Sequence, residues 1–344
     1  MKNRILILVC FMAMFTLVGC SALEELDKVL SDNGESGPDP STVVITEKAA
    51  EAVSIPSDAA SGSAEQTRTQ ESKVVRDPSV LDALTIPEGM HLTREDENFL
   101  YEYAYITGDE TLLVDEEKQI LSVVRTVCDA LADSDDYGKV IGVHDYLSDT
   151  ISYDFGERPY DEYGAFVEKM AVCQGYSYAF KLCMDICGID CITVGGTADN
   201  GKEVLSHAWN MVRLDDRWYH VDVTWDDAYN VSYNGSWCHM YLGLNDNIMS
   251  KDHEWSTIVQ GLHGLEKIPT CDDLTYYYYT AFGKCATSQE ELEALFEVEF
   301  NDGVTTIEIL CTGFEADTAF VGRYTSCKLL TQKSPDRKVY CFII

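Results

Sequence analysis

Residues 206–214 and 217–225 both read with a period of two, and only Asp215 and Asp216 separate them. Two such strands joined by a two-residue link form a hairpin, and the turn fixes the register of every pair. With Leu214 paired to Arg217, His207 falls opposite Thr224, and Asp222 lies two residues along on the same face. Diagonal neighbours of this kind have Cβ atoms somewhat under about 7–8 Å apart, within reach of a His–carboxylate hydrogen bond. A slip of one residue would turn the two side chains to opposite faces.

Periodicity elsewhere sets the class of fold. Residues 94–106, 115–132 and 137–150 carry apolar side chains at helical spacing, the last through Val140, Ile141, Val143, His144 and Leu147. A turn-prone stretch with Gly156 and Pro159 leads to a short helix over 160–168, and another helix runs from Cys173 to about 186 and stops at Gly188. Beyond it the period becomes two, with strands over 191–195, 205–214, 218–224 and 237–242. Helices followed by antiparallel strands define an α+β core with an N-terminal helical layer. Residues 276–344 read as a small C-terminal α+β appendage: a strand through Tyr276 to Tyr279, a helix over 289–296, and strands over 305–310 and 339–344.

The N-terminal part has another character. Met1 to Arg4 are followed by an apolar run over 5–18, the pattern of an export signal and too short for a comfortable bilayer span. Leu17-Val18-Gly19-Cys20 resembles a bacterial lipobox, which implies lipid attachment at Cys20 and a body tethered outside the cytoplasm. Residues 31–80 are rich in Ser, Ala, Gly, Pro, Glu and Thr, the composition of a flexible linker. The expected organisation is a lipoprotein signal over 1–19, a lipidated N-terminus and linker over 20–89, a main domain over 90–275 and the C-terminal module over 276–344. A formal charge of −34 excludes nucleic acid and anionic lipid surfaces as electrostatic partners. The 13 cysteines lack the spacing of a stapled scaffold or a zinc site, and Cys183 and Cys187 suit packing better than metal binding.

Cys173 opens its helix after Met170-Ala171-Val172, so its thiol sits at the positive end of a helix dipole, where a thiolate is favoured. Three segments, Ala171-Val172-Cys173-Gln174-Gly175-Tyr176, His207-Ala208-Trp209-Asn210 and Trp218 through Trp225, resemble in order and spacing the motifs of the bacterial transglutaminase-like superfamily. The resemblance covers roughly 90–275. It implies a papain-like core in which helix meets sheet, with Cys173, His207 and Asp222 as nucleophile, base and orienting acid. Arylamine acetyltransferases, peptide N-glycanases and cell-wall peptidases use related triads, but the residues following His207 and Asp222 favour the transglutaminase-like group. One departure is the turn, where family members often have Asp-Gly and this chain has Asp215-Asp216.

The chemistry implied is attack of the Cys173 thiolate on an amide carbonyl of a protein or peptide, possible cell-wall peptides included, through a thioester. The Cys173 backbone N–H is an oxyanion donor, with Gln174 and Trp209 as candidates for a second, and Tyr176, Tyr178 and Trp225 as candidate groove residues. His144-Asp145 could be a second acid–base pair, although adjacent helix residues point apart and a structural role fits them better. His220 shares the Asp222 face and reads as cleft-lining or structural, while resemblance to family members with aromatic and His residues near His239 and His253 implies fold support for those two. The chemistry requires no cofactor or metal. The competing reading is a catalytically silent module of the same fold, serving as a cell-surface binding or scaffold protein.

Overall fold

The computed structural model describes residues 76, 78–154, 161–227, 238–324, 328–334 and 337–344. The export segment, Cys20, linker residues up to 75, Gly156, Pro159, Tyr160 and Trp237 lie outside them, and the described end of the linker holds a short helix, Pro78–Asp82. Helices α1 (Phe99–Thr107), α2 (Asp115–Ala130) and α3 (Asp136–Thr150) form the layer expected from the helical period. Helix α1 starts later than its apolar pattern because Asp96 accepts the Thr93 N–H at 2.8 Å and closes a turn ahead of it. Glu117 accepts the Val114 N–H at the start of α2, and Asp135 accepts the Gly138 N–H at the start of α3. Within the stretch expected as a short helix, Gly164–Glu168 is π-helical.

Helix α4 (Cys173–Ile186) is the centre of the domain. Gly175 to Ser177 and Ala179 to Ile186 are all buried, so no polar face remains. Val124 and Val127 of α2 and Val143 and Leu147 of α3 cover one side, and the sheet residues Val212, Tyr219 and Val221 join the same core. Burial even reaches Lys181, whose ammonium bonds both oxygens of Asp185 at 2.9 Å, while Asn98 donates to Asp185 at 2.8 Å. Such a pair persists in a low dielectric only because each charge is met. Gly188, at φ 74°, ends the segment in the left-handed conformation.

The sheet is antiparallel and comprises β1 (Cys191–Asp199), β2 (Val204–Leu214), β3 (Arg217–Val221), β4 (Leu242–Leu244) and β5 (His253–Gln260), in the order β4-β3-β2-β1-β5. The β2–β3 register is the one the turn length dictates, Leu214 facing Arg217 and Asn210 facing Val221. Asp215 and Asp216 adopt φ values of 47° and 65°, a left-handed pair that favours glycine. Arg213 bonds Asp216 and the Tyr276 hydroxyl bonds Asp215, each at 2.5 Å, which offsets the backbone cost.

Several strand expectations are corrected. Residues 218–224 do not stay extended: the ladder ends at Val221, and 223–227 form a helical turn. Asp222 causes the change by accepting the Trp225 N–H at 3.1 Å, as a helix N-cap does. Thr224 therefore leaves the ladder, and His207 pairs only with Gly196 of β1. Residues 238–241 are not strand either, and pairing begins at Leu242. Tyr278–Ala281 is a helical turn rather than strand, with Tyr277 and Tyr279 fully buried in the sheet core. Strand β5 was not anticipated, because exposed Glu254, Ser256, Thr257 and Val259 break the alternation of an edge strand. It passes so close to β1 that a Cβ on Gly196 would lie 1.8 Å from the Glu254 carbonyl oxygen.

The C-terminal segment contains helix α5 (Gln289–Asn301) and strands β6 (Cys285–Ala286), β7 (Thr306–Cys311), β8 (Lys328–Ser334) and β9 (Arg337–Ile343), in the order β8-β9-β7-β6. Strand β8 adds to the elements expected there. One face packs Ile307, Ile309 and Phe342 on Phe296 of α5. Leu310 and Val339 instead join the cluster of Trp209, Met240 and Tyr277, so this segment also buttresses the main sheet.

Candidate active site

The first helical bond of α4 runs from the Tyr176 N–H to the Val172 carbonyl, so the N–H groups of Cys173, Gln174 and Gly175 precede the helical ladder. Helix α4 lies against β2, and Ser177 of α4 donates to the Ala208 carbonyl at 2.9 Å. Asn210 of β2 returns a bond from its amide to the Ser177 carbonyl at 3.0 Å. These ties set the helix start beside His207.

His207 Nε2 lies 2.6 Å from Asp222 Oδ2, which leaves Nδ1 as the nitrogen available to the Cys173 thiol. Burial raises the thiol pKa, but the hydrogen bond and charge of His207 and the Ala208 N–H outweigh it, and Cys173 falls below its ordinary value. Burial alone would discharge His207; the Asp222 charge and its hydrogen bond, with the thiol, instead raise its pKa to about 10. Asp222 is buried, yet its two imidazole neighbours hold its pKa well below the usual carboxylate range. A thiolate–imidazolium pair is the favoured charge state. By contrast, burial pushes up the thiols of Cys191, Cys238 and Cys271, and those of Cys285 and Cys311 to about 12. Among the described residues no disulfide joins two cysteines.

Asp222 is more heavily held than a triad requires. Its Oδ1 accepts the Trp225 N–H, while its Oδ2 receives both His207 and, at 3.2 Å, Nε2 of His253. His253 Nδ1 meets Asp252 at 2.7 Å, and Asp252 also accepts the Tyr241 hydroxyl at 2.8 Å and the Ser334 hydroxyl. Arg337 lies over the Tyr241 ring, and its charge helps hold Asp252 ionised. Asp222 is thus wired through His253 to the β8–β9 hairpin. The family resemblance suggested only fold support for His253, and nothing in the local sequence spacing links it to Asp222, 31 residues away.

The remaining candidates separate. Trp225 is half-buried, with its ring centroid 5.9 Å from that of His207, and fits a cleft wall. Gln174 is half-buried next to Cys173. Trp209 is not placed as an oxyanion donor: its indole N–H is engaged by His220 Nδ1 at 3.0 Å, and its ring stacks on His207. Tyr176 is not a groove residue, since it is fully buried and its hydroxyl bonds Asp227. His220 passes its other nitrogen to Asp246 at 3.0 Å and is a buried structural group. His144 and Asp145, expected to point apart, meet at 3.0 Å between Nδ1 and Oδ1.

A helix N-terminus that presents a cysteine to a His and an Asp on an antiparallel sheet is the arrangement of papain-like thiol enzymes. Residues 125–223 match the family model of the transglutaminase-like superfamily, a span that includes Cys173, His207 and Asp222. That span is a transglutaminase-like domain. The kyphoscoliosis peptidases of Mus musculus and Homo sapiens are each 36% identical over 61 residues, 15% of this chain. The chain spans only 9% of the length of these relatives. A crystal structure of a TGase aligns over 36% of each chain with 18% identity and a TM-score of 0.28, too slight a likeness to add to the assignment.

Proposed function

We propose that the protein is a thiol enzyme that cleaves or remodels amide bonds of proteins or peptides through a Cys173 thioester. The observation that carries this reading is His207 held at 2.6 Å by a buried carboxylate while its other nitrogen serves the thiol at a helix N-terminus. The thiolate adds to the amide carbonyl, forming a C–S bond and an oxyanion. The backbone N–H of Cys173 stabilises that oxyanion, with Gln174 as candidate second donor. Imidazolium His207 then gives its proton to the departing nitrogen as the C–N bond breaks, leaving the thioester. Asp222 holds the ring and its charge throughout. Water as second nucleophile, deprotonated by His207, gives hydrolysis or deamidation; a primary amine gives transamidation. Trp225 forms part of the substrate wall.

The domain is proposed to act outside the cytoplasm, anchored to a bacterial membrane by lipid at Cys20, and to meet surface proteins or cell-wall peptides there. The charged start, apolar run and Gly19-Cys20 step support this placement. Among the described residues no helix is long and apolar enough to cross a membrane. Iodoacetamide labelling of the full chain at pH 6 tests the chemistry: Cys173 should react far faster than any other cysteine, and His207→Ala should remove the advantage. Equal labelling of all cysteines would leave a silent binding module. Incubation with a peptide library, with and without a primary amine, then distinguishes cleavage, one-dalton gains and amine adducts by mass.

A further inference from the structure

Three clusters of described residues bring possible ligand atoms within 4.8 Å of one another: His144–Asp145–His239, His207–Asp222–His253 and His220–Asp246–Cys271. The second belongs to the candidate active site. A metal-bound imidazole presents one bare nitrogen to the ion and gives its other N–H to an acceptor. His220 fails that requirement. Its Nδ1 accepts the Trp209 indole N–H, so the neutral ring keeps its proton on Nε2, where it faces Asp246.

His144 and His239 both meet it. His144 Nδ1 and His239 Nε2 converge on the same atom, Asp145 Oδ1, at 3.0 and 3.1 Å. Their outer nitrogens reach two further carboxylates, Asp226 Oδ2 at 3.1 Å and Glu308 Oε2 at 3.2 Å. Those carboxylates are fixed in turn: Asp226 accepts the Tyr241 N–H at 3.0 Å, and Glu308 accepts the Tyr279 hydroxyl at 2.8 Å. This is the carboxylate–histidine–metal pattern on two imidazoles at once. Tetrahedral bonds of about 2.05 Å place ligand atoms about 3.3 Å apart, so an ion requires each nitrogen to draw back from Asp145 Oδ1 by only a few tenths of an ångström, and all three ligand atoms already lie within 4.8 Å of one another. Both imidazoles are buried, while the Asp145 side chain is 33% exposed and offers a way in. With neutral imidazoles the three carboxylates concentrate negative charge in a low dielectric, which a divalent cation offsets.

We propose that His144, Asp145 and His239 bind a divalent transition-metal ion of the zinc type, with the fourth position open on the Asp145 side. The ion ties α3 to the loop ahead of β4 and, through Glu308, to β7. His144 and Asp145 are adjacent in sequence and His239 lies 94 residues beyond Asp145, so no ligand spacing reveals the site.

The test uses the full chain, stripped by chelator and then titrated with zinc sulfate, with bound metal counted by mass spectrometry after gel filtration. The wild type and Cys173→Ser should each retain about one equivalent, and Asp145→Asn less than about a tenth of one. Cobalt(II) on the wild type should give tetrahedral visible absorption without a thiolate charge-transfer band, a readout independent of whether the variant folds. No retained zinc in the wild type would leave a hydrogen-bonded His–carboxylate cluster only and overturn the proposal. Full retention by Asp145→Asn, or a thiolate band with cobalt, would place the ion elsewhere and also overturn it.

Discussion

Replacing Asp222 with Asn isolates the charge that holds the candidate triad together, because the side chain keeps its size and can still accept the Trp225 N–H. Oδ2 now receives two imidazoles, at 2.6 Å from His207 and 3.2 Å from His253. With Oδ1 of the asparagine kept on Trp225, its amide NH2 faces both rings, so His207 must offer a bare Nε2 and carry its proton on Nδ1, toward the thiol. The imidazolium loses its counter-charge, the second contributor after burial to a His207 pKa of about 10, and the buried thiol returns toward its protonated form. A charge-assisted hydrogen bond is worth about 1.5–3 kcal/mol, which corresponds to roughly 10- to 150-fold in thiolate population. Iodoacetamide labelling of Cys173 in Asp222→Asn should therefore fall by about 10²-fold at pH 6 and approach the wild-type rate above about pH 9, where an ordinary thiol ionises. In the wild type the pair persists until His207 deprotonates near pH 10. The sign for stability follows: the raised histidine pKa stabilises the fold fully below its unfolded value of about 6.5 and loses that contribution as pH rises through about 10. A variant whose labelling profile matches the wild type, or is slowed equally at every pH, would refute the charge-pair account.

Trp209→Phe should lower stability by about 1–2 kcal/mol through the unpaired His220 nitrogen, measured by urea unfolding. It should nevertheless leave acylation of Cys173 by a p-nitrophenyl ester within about threefold, since loss of a true oxyanion donor costs about 10²–10³. Gly196→Ala should destabilise by about 3 kcal/mol or prevent folding, because β5 must move away from β1; an unchanged melting temperature would contradict the close approach. Lys181→Met strips Asp185 of its counter-ion, and burial already holds that carboxyl at about 6. The raised value means that the carboxyl's contribution to stability is fully present below about 3.9 and is lost as pH rises through about 6. The variant should lose about 3 kcal/mol at pH 7.5 and less at pH 5, and a pH-independent loss in denaturant titration would argue against a charged Asp185.

How far local pattern carried the site is clearest at the hairpin. The two-residue turn fixed which residues pair, and Leu214 does face Arg217, yet His207 reaches Asp222 by a route the ladder alone does not give. The strand stops at Val221 because the Asp222 side chain satisfies a backbone donor of the next turn, a competition between ladder and cap that periodicity does not weigh. Tyr176 and Trp209 looked like cleft residues because aromatic side chains beside a nucleophile suit either burial or binding; only their hydrogen-bond partners, Asp227 and His220, decide which.

The sequence by itself determined the α+β order, the limits of α4, the hairpin register and the residue types able to act as nucleophile, base and acid. These depend on side-chain period, capping residues and turn length, all of which operate within a few residues. Tertiary structure decided the meeting of Cys173 with His207, the link from Asp222 through His253 to Asp252 and the C-terminal hairpin, and the convergence of His144, Asp145 and His239. Asp222 and His253 are 31 residues apart and Asp145 and His239 are 94 apart, each pair meeting across packed layers. Their geometry follows from how α4 and the two sheets share apolar cores, a long-range outcome that no local spacing records.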